Sequence, residues 1–164
     1  MNIFVLDSNP VQAARDQCNK HVVKMILESA QVLCTALHLN GVDLTHLPYK
    51  PTHTRHPSTL WTTQSPANMV WLWTHAVELC EEYSRRYDNK VHKTYYVLQS
   101  IAWLMPRAHW RDHTPFAKAM PDVWKQYDPV TAYRCYYIAE KSHFAKWEPR
   151  ARTPSWWPFK EEVK

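Results

Sequence analysis

The residues from Lys20 to Gln31 carry the side chains best suited to chemistry in this chain of 164 residues. At about 100° per residue, one face of a helix through this stretch collects an imidazole, two amines, a carboxylate and an amide. They belong to Lys20, His21, Lys24, Glu28 and Gln31, and Thr35 continues the same face. Imidazole and carboxylate groups transfer protons, and amines bind phosphate oxygens. The face therefore predicts proton transfer on a phosphate-bearing substrate. The alternative is an ordinary solvated face whose Lys24–Glu28 pair contributes only roughly 0.3 kcal/mol.

The opposite face of the same helix is apolar. It consists of Val22, Val23, Ile26, Ala30, Leu33 and Leu37. Because each fully buried aliphatic side chain contributes on the order of 1.5–3 kcal/mol, we expect this face to pack into the core. The face that carries Glu28 should then lie in solvent.

Glycine and proline usage restricts the fold. The chain has one glycine and twelve prolines, and Gly41 has no glycine neighbour. This composition excludes the glycine-rich phosphate loops of dinucleotide-binding and P-loop proteins, and it argues against a sheet-rich fold with many tight turns. A hydrophobic content of 45% gives enough material for one core. We therefore predict a single domain over residues 1–164.

Local signals place the elements that position these side chains. A proline after a capping residue predicts helix starts at Asn9-Pro10, Ser65-Pro66 and Asp128-Pro129. The predicted helices run over 10–39 with a break near 17–19, over 66–87, over 91–105 and over 129–146. The rest is a short extended segment at 2–6, irregular Pro-rich loops at 42–64 and 107–127, and an extended tail at 153–158. The expected fold class is mainly α, in one compact helical domain.

The charge balance indicates an anionic partner. The formal net charge is +5, and basic residues alternate with aromatic residues in three clusters, at 85–96, 103–111 and 147–157. Cations beside flat rings suit phosphate contact and base stacking. The predicted nucleic-acid-binding residues are Lys20, Gln31, Arg85, Arg86, Lys93, Arg150, Arg152 and Trp156. The alternative is that the rings belong to the core and the cations only surround it.

Cysteine and histidine spacing does not predict a metal site. The four cysteines lie far apart and form no C-x-x-C pair, so we expect buried, reduced thiols. The spacings His53-x-x-His56 and His109-x-x-x-His113 resemble those of metal ligands, but no cysteine or carboxylate set accompanies them. We expect no metal and no cofactor, although a metal-dependent hydrolase that uses these loop histidines stays an alternative. The sequence shows no signal peptide, lipidation motif or apolar run long enough to span a bilayer, so we expect a cytoplasmic protein without membrane contact.

Four segments resemble a family of small uncharacterised proteins from tailed bacteriophages. They are the opening Met1-Asn2-Ile3-Phe4-Val5-Leu6-Asp7, Lys20-His21-Val22-Val23-Lys24-Met25, Tyr49-Lys50-Pro51-Thr52-His53 and Thr114-Pro115-Phe116. The resemblance implies that the protein works in the cytoplasm of an infected bacterial host.

A more distant resemblance is to the phage pyrimidine-dimer DNA glycosylases of the endonuclease V type. The shared layout is a short N-terminal segment, then a long helix with a histidine and, seven residues later, a glutamate, here His21 and Glu28. The resemblance implies base excision, in which an amine attacks the sugar C1′ and a carboxylate stabilises the cationic sugar. Asn2 is bulky enough for Met1 to be retained, so the implied amine belongs to Met1 or to a lysine such as Lys24.

These observations predict a DNA-processing enzyme, a DNA glycosylase with possible AP lyase activity on damaged or modified bases. The implied catalytic residues are Glu28, His21, Lys24 and Met1, and DNA is favoured over RNA as the partner. The alternative from a different class is a non-catalytic nucleic-acid-binding protein that uses the same basic and aromatic surface.

Overall fold

The computed structural model describes residues 1–159 and confirms the mainly helical fold. Its helices are α1 (Pro10–Arg15), α2 (Asn19–Leu39), α3 (Pro57–Gln64), α4 (Pro66–Arg86), α5 (Thr94–Ile101) and α6 (Pro129–Lys141). Short 3-10 turns occur at Leu44–His46, Ala102–Leu104, Trp110–Asp112 and Asp122–Trp124. No residue in the described part of the chain is assigned to a strand.

The three predicted cap-and-proline starts are confirmed. The side chain of Asn9 accepts hydrogen bonds at the start of α1, Ser65 does so for α4 and Asp128 for α6. The predicted break is also present, because α1 ends at Arg15 and α2 begins at Asn19. Proline suits the first helical turn because its missing N–H would have no partner there.

The prediction of a continuous loop over 42–64 is wrong, since α3 occupies its last eight residues. The cap of α3 is His56, whose ring Nδ1 accepts the Ser58 N–H at 3.1 Å. Histidine is outside the usual set of capping residues, so the sequence signal was missed. Helix α6 also stops earlier than predicted, and the chain beyond it turns so that the Lys146 carbonyl accepts the Asn19 N–H at 2.8 Å.

Helix α2 lies at the centre of the fold and packs against α3, α4 and α5. Its predicted apolar face is buried at Val22, Ile26, Ala30, Leu33 and Leu37. The prediction is wrong for Val23, which is 38% exposed. It is also wrong for two polar positions, because His21 and Thr35 are buried. Neighbouring segments therefore cover α2 on more than the single predicted side.

The same helix is the one described segment whose length and composition would suit a membrane span, whereas no such run was predicted from the sequence. In the fold, 61% of its most apolar window is buried inside the protein. Its apolar side chains therefore pack against the other helices.

The sequence predicts an extended N-terminal segment, whereas the structure shows an irregular, buried segment that turns at Phe4. Phe4 adopts a φ of 48°, which is uncommon for a residue with a side chain. The Asn2 Oδ1 accepts the N–H groups of Ile3 (2.8 Å) and Phe4 (3.1 Å). These hydrogen bonds within the segment stabilise the turn. Farther along, the Leu6 carbonyl accepts the Arg134 Nε–H at 2.8 Å. These bonds fix the path of the first residues between α2 and α6.

Candidate active site

The fold places the amino end of the chain beside Glu28 of α2. The Met1 nitrogen lies 3.8 Å from Glu28 Oε2, and the same oxygen accepts the Asn2 N–H at 2.9 Å. The Met1 side chain is only 3% exposed although the residue as a whole is partly exposed, so its accessible part is the main chain. The structure thus brings together two of the residues assigned by resemblance, a primary amine and a carboxylate.

Lys24 adds a second amine to the same carboxylate. Its Nζ lies 3.4 Å from Glu28 Oε1, one helical turn earlier on α2. The Lys24 side chain is 65% exposed, whereas that of Glu28 is 14% exposed. Glu28 therefore lies between a flexible surface amine and the chain terminus, and each carboxylate oxygen faces one of them.

His56 hydrogen-bonds to the Met1 main chain. While Nδ1 accepts the Ser58 N–H, the ring also hydrogen-bonds to the Met1 carbonyl, so the remaining ring N–H must be the donor. Burial is the largest cause of its lowered pKa, followed by the Met1 ammonium and His53, while Glu28 acts in the opposite direction. His56 is therefore favoured as a neutral donor. From the sequence, His56 was predicted only as a possible metal ligand.

His53 reaches the same region on a strained loop. Its φ is 49°, in the left-handed region, and its Nδ1 lies 2.8 Å from the Thr52 Oγ1. Thr52 is anchored to α2, because its N–H donates to Thr35 Oγ1 (3.1 Å) and its carbonyl accepts from that hydroxyl (3.2 Å). Left-handed backbone costs on the order of 1–3 kcal/mol for a residue with a side chain and persists only where the surroundings enforce it. Thr35 is thus a structural anchor for this loop.

His21 does not occupy the exposed position that the sequence predicted for a proton-transfer group. Its ring stacks on Phe4 with centroids 4.5 Å apart, and its Nδ1 lies 2.7 Å from the Tyr137 hydroxyl. The same hydroxyl accepts the Cys18 N–H at 3.1 Å. Burial first, and then the charges of Lys141, Lys24 and Lys20, lower the pKa of His21 to about 3. His21 is therefore a neutral residue that supports Phe4 and the N-terminal segment.

Lysines and aromatic rings form a surface next to His21. Lys20 Nζ lies 4.6 Å from the centroid of the Phe144 ring, and Lys141 Nζ lies 5.0 Å from that of Tyr136. We call Lys20, Lys24, Lys141, Tyr136 and Phe144 the basic surface. It joins the Met1–Glu28 site through Lys24, which contacts Glu28. Lys20 and Lys24 were predicted from the sequence, whereas Lys141 comes from α6 and was missed.

Arg86 is a correction to the predicted nucleic-acid-binding set. Its side chain is 1% exposed and is bonded to Glu82 Oε2 (2.8 Å) and to the carbonyls of Gln17 (2.8 Å) and Arg15 (2.8 Å). No phosphate can reach a guanidinium in this position. Its neighbour Arg85 is half-exposed, and Glu78 and Glu82 both bind it.

The remaining predicted binding residues are spread over other parts of the molecule. Gln31 is partly buried on α2, and Lys93 lines a shallow groove with Tyr83. Arg150 donates to the Arg86 carbonyl (2.8 Å) and stacks over Tyr87. Arg152 and Trp156 line a cavity at the C-terminal segment. The structure thus concentrates only part of the predicted set at the basic surface.

The loop histidines do not gather into a metal site. Within residues 1–159 there is no group of three or more His, Cys, Asp or Glu side chains that could hold a metal ion. The His109 Nδ1 accepts the Arg111 N–H at 3.1 Å, so it serves as a cap. The cysteines are free thiols, buried at Cys18, Cys34 and Cys80 and partly buried at Cys135.

No family model, no curated protein and no solved structure matches this chain.

Proposed function

We propose that the protein is a DNA glycosylase with AP lyase activity that uses the Met1 α-amine as its nucleophile and Glu28 as its carboxylate. The observation that carries this proposal is the 3.8 Å separation between the Met1 nitrogen and Glu28 Oε2, with the main chain of Met1 accessible. A nucleophile beside a group that can accept its proton is the arrangement that covalent catalysis requires.

The proposed reaction begins with proton transfer from the Met1 ammonium to Glu28. The neutral amine then attacks the sugar C1′, the C1′–N bond to the base breaks, and the base leaves with the bonding electrons and takes up the proton from Glu28, which becomes a carboxylate again. After ring opening, the amine and C1′ form an imine, and loss of a proton from C2′ expels the 3′-phosphate. Glu28 stabilises the positive charge on the sugar and the imine. Electrostatic stabilisation of this kind is the largest contribution to the rate enhancement of many enzymes.

Two features favour Met1 over Lys24 as the nucleophile. An α-amine ordinarily titrates at about 8 and a lysine at about 10.4, so a terminal amine is more readily deprotonated near neutral pH. Met1 is also held in place, by the His56 ring on its carbonyl and by the buried Met1 side chain. Lys24, whose side chain is 65% exposed, suits phosphate binding better.

The basic surface supports nucleic acid as the substrate. Lys20, Lys24 and Lys141 all lie near enough to His21 to lower its pKa, so three cations surround one small area. Lys20 and Lys141 lie over the aromatic rings of Phe144 and Tyr136. Cations near aromatic rings suit a sugar–phosphate strand and unstacked bases. DNA is proposed over RNA on the resemblance to the pyrimidine-dimer glycosylases alone.

The decisive experiment is borohydride trapping on duplexes that carry an abasic site. An imine between protein and sugar is reduced to a stable secondary amine, so we expect a covalent adduct whose protein component maps to residue 1. Placing Gly-Ser before Met1 moves the amine away from Glu28 and should abolish the adduct. Lys24→Gln should retain it. An adduct that maps to Lys24 would reassign the nucleophile. If there is no adduct and no base release, the proposed glycosylase and lyase activity is refuted.

A non-catalytic nucleic-acid-binding protein is the second candidate. One observation favours it: Glu28 already has a structural role, since it accepts the Asn2 N–H and pairs with Lys24. In that case the protein should bind DNA through the basic surface and give no adduct on any duplex. The trapping experiment therefore separates the two candidates.

A further inference from the structure

A cavity of about 580 Å³ lies apart from the Met1–Glu28 site, at the C-terminal segment. Its walls come from the end of α1, the end of α4, Arg134 of α6 and residues 151–156. Cavities of roughly 300–1,000 Å³ are the usual size for small-molecule ligands. The charges in this cavity indicate which ligand would fit.

Asp16 is a buried carboxylate that forms no ion pair within residues 1–159, and the nearest cation that acts on its charge is Arg134, which pairs with Asp7. It is 5% exposed, its Oδ1 accepts the Gln12 amide (2.6 Å) and its Oδ2 accepts the Trp156 indole N–H (2.7 Å). Both donors are neutral, and burial raises the Asp16 pKa. A carboxylate has about four acceptor positions, so two remain for a ligand. Burying a charge without a counter-charge is costly, and N–H donors from a ligand would offset that cost.

The other carboxylates of the cavity are already neutralised. Glu82 binds both Arg85 (2.6 Å) and Arg86 (2.8 Å), and Asp7 lies 3.4 Å from Arg134 Nη2. These pairs leave Asp16 as the acceptor that a ligand can use.

Arg152 supplies the opposite charge. It is exposed, lines the cavity, and makes no ion pair or side-chain hydrogen bond within the described residues. A guanidinium binds phosphate or carboxylate through two parallel N–H groups. The cavity thus combines a free guanidinium with a buried carboxylate that can still accept hydrogen bonds.

We propose that this cavity binds a nucleoside monophosphate, with the phosphate on Arg152 and the N–H groups of the base on Asp16. A guanine base is the best fit, because it presents two adjacent N–H donors to one carboxylate. The proposal does not depend on the Met1–Glu28 reaction, since none of the cavity residues belongs to that site.

The test is calorimetric titration with guanosine monophosphate, guanosine, uridine monophosphate and inorganic phosphate. Guanosine monophosphate should bind, and each of the other three should bind at least about tenfold more weakly. Guanosine lacks the phosphate, inorganic phosphate lacks the base, and uracil presents one N–H donor to the carboxylate instead of two. Arg152→Ala should weaken binding of guanosine monophosphate at least about tenfold. Arg107→Ala is the matched control, an exposed arginine outside the cavity, and should leave the affinity unchanged.

A second variant tests the base contact. Asp16→Asn removes the charge and replaces an acceptor oxygen with an amide group, so the preference for guanosine over uridine monophosphate should fall to about twofold or less. Far-UV circular dichroism checks that this buried variant folds, and Arg152→Ala keeps the proposal testable if it does not. Equal affinity for inorganic phosphate and guanosine monophosphate, or no binding of the latter at 1 mM (roughly −4 kcal/mol), would overturn the proposal.

Discussion

The main-chain N–H of Asn2 donates a 2.9 Å hydrogen bond to Glu28 Oε2, which ties the first peptide of the chain to the middle of α2. The same oxygen lies 3.8 Å from the Met1 nitrogen. One carboxylate thus anchors the N-terminal segment and faces the terminal amine. The choice of substitution at Glu28 can therefore separate its effect on the stability of the fold from its effect on the proposed reaction.

Glu28→Gln should leave the fold intact and remove activity. The glutamine oxygen can still accept the Asn2 N–H, so we expect a change of about 1 kcal/mol or less in the free energy of unfolding. Loss of the proton acceptor and of the negative charge should slow single-turnover base release or strand cleavage roughly 10²-fold. Glu28→Ala should instead cost about 1–3 kcal/mol, because the Asn2 N–H loses its partner. Glu81→Gln, at an exposed position on α4, is the control and should change neither quantity.

The neighbouring arginines of α4 should differ sharply in their effect on stability. Arg86→Ala removes the partner of a buried carboxylate and leaves the Arg15 and Gln17 carbonyls unbonded, so we expect a loss of about 3–5 kcal/mol. Arg85→Ala affects a half-exposed ion pair and should cost about 1 kcal/mol or less. Urea denaturation of both variants measures the difference. Similar losses for the two residues would contradict the structural assignment of Arg86.

Acid should destabilise the protein through two buried histidines. Burial lowers the pKa of His21 to about 3 and that of His75 to about 4, from an ordinary value of 6.5. Below pH 6.5 the unfolded chain therefore binds protons that the folded chain excludes, and stability falls as the pH falls. Each histidine contributes a slope of up to about 1.4 kcal/mol per pH unit, down to pH 4 for His75 and pH 3 for His21.

The histidine prediction can be checked by measuring the free energy of unfolding between pH 5 and pH 7. His75→Gln should reduce the slope of stability against pH by roughly 1 kcal/mol per pH unit, even if the variant is less stable throughout. His109→Gln, at an exposed position, should retain the wild-type slope. An unchanged slope in His75→Gln would show that the pKa of His75 is the same in the folded and unfolded states, which would contradict the prediction.

Binding to duplex DNA should depend on salt through the lysines of the basic surface. Each phosphate neutralised in B-DNA adds about −0.9 to the slope of log K against log salt concentration. Lys20→Gln and Lys141→Gln should each make the slope less steep by about that amount, as measured by fluorescence anisotropy. Lys125→Gln is the control, because Lys125 pairs with Asp122 (2.7 Å) outside this surface. Binding that does not vary with salt would exclude a phosphate interface.

The sequence by itself determined where three of the six helices in residues 1–159 begin. Asn9, Ser65 and Asp128 each precede a proline and cap the helix that follows. These signals act over three or four residues and need no distant partner, so they can be recognised without the fold. The start of α3 was missed because its cap is His56, and histidine is not one of the residue types that usually cap helices.

Tertiary structure alone decided which polar residues of α2 face solvent and which meet the chain terminus. Helical spacing correctly predicted that Lys24 is exposed, but Glu28 on the same face is only 14% exposed. Spacing could not show that Tyr137, from α6, covers His21. Nor could it show that Met1, 27 residues before Glu28, returns to that carboxylate, or that His56 hydrogen-bonds to the Met1 main chain. Periodicity tells which residues share a face of a helix. Burial and pKa depend on the segments that cover that face, and those contacts form between residues far apart in the chain.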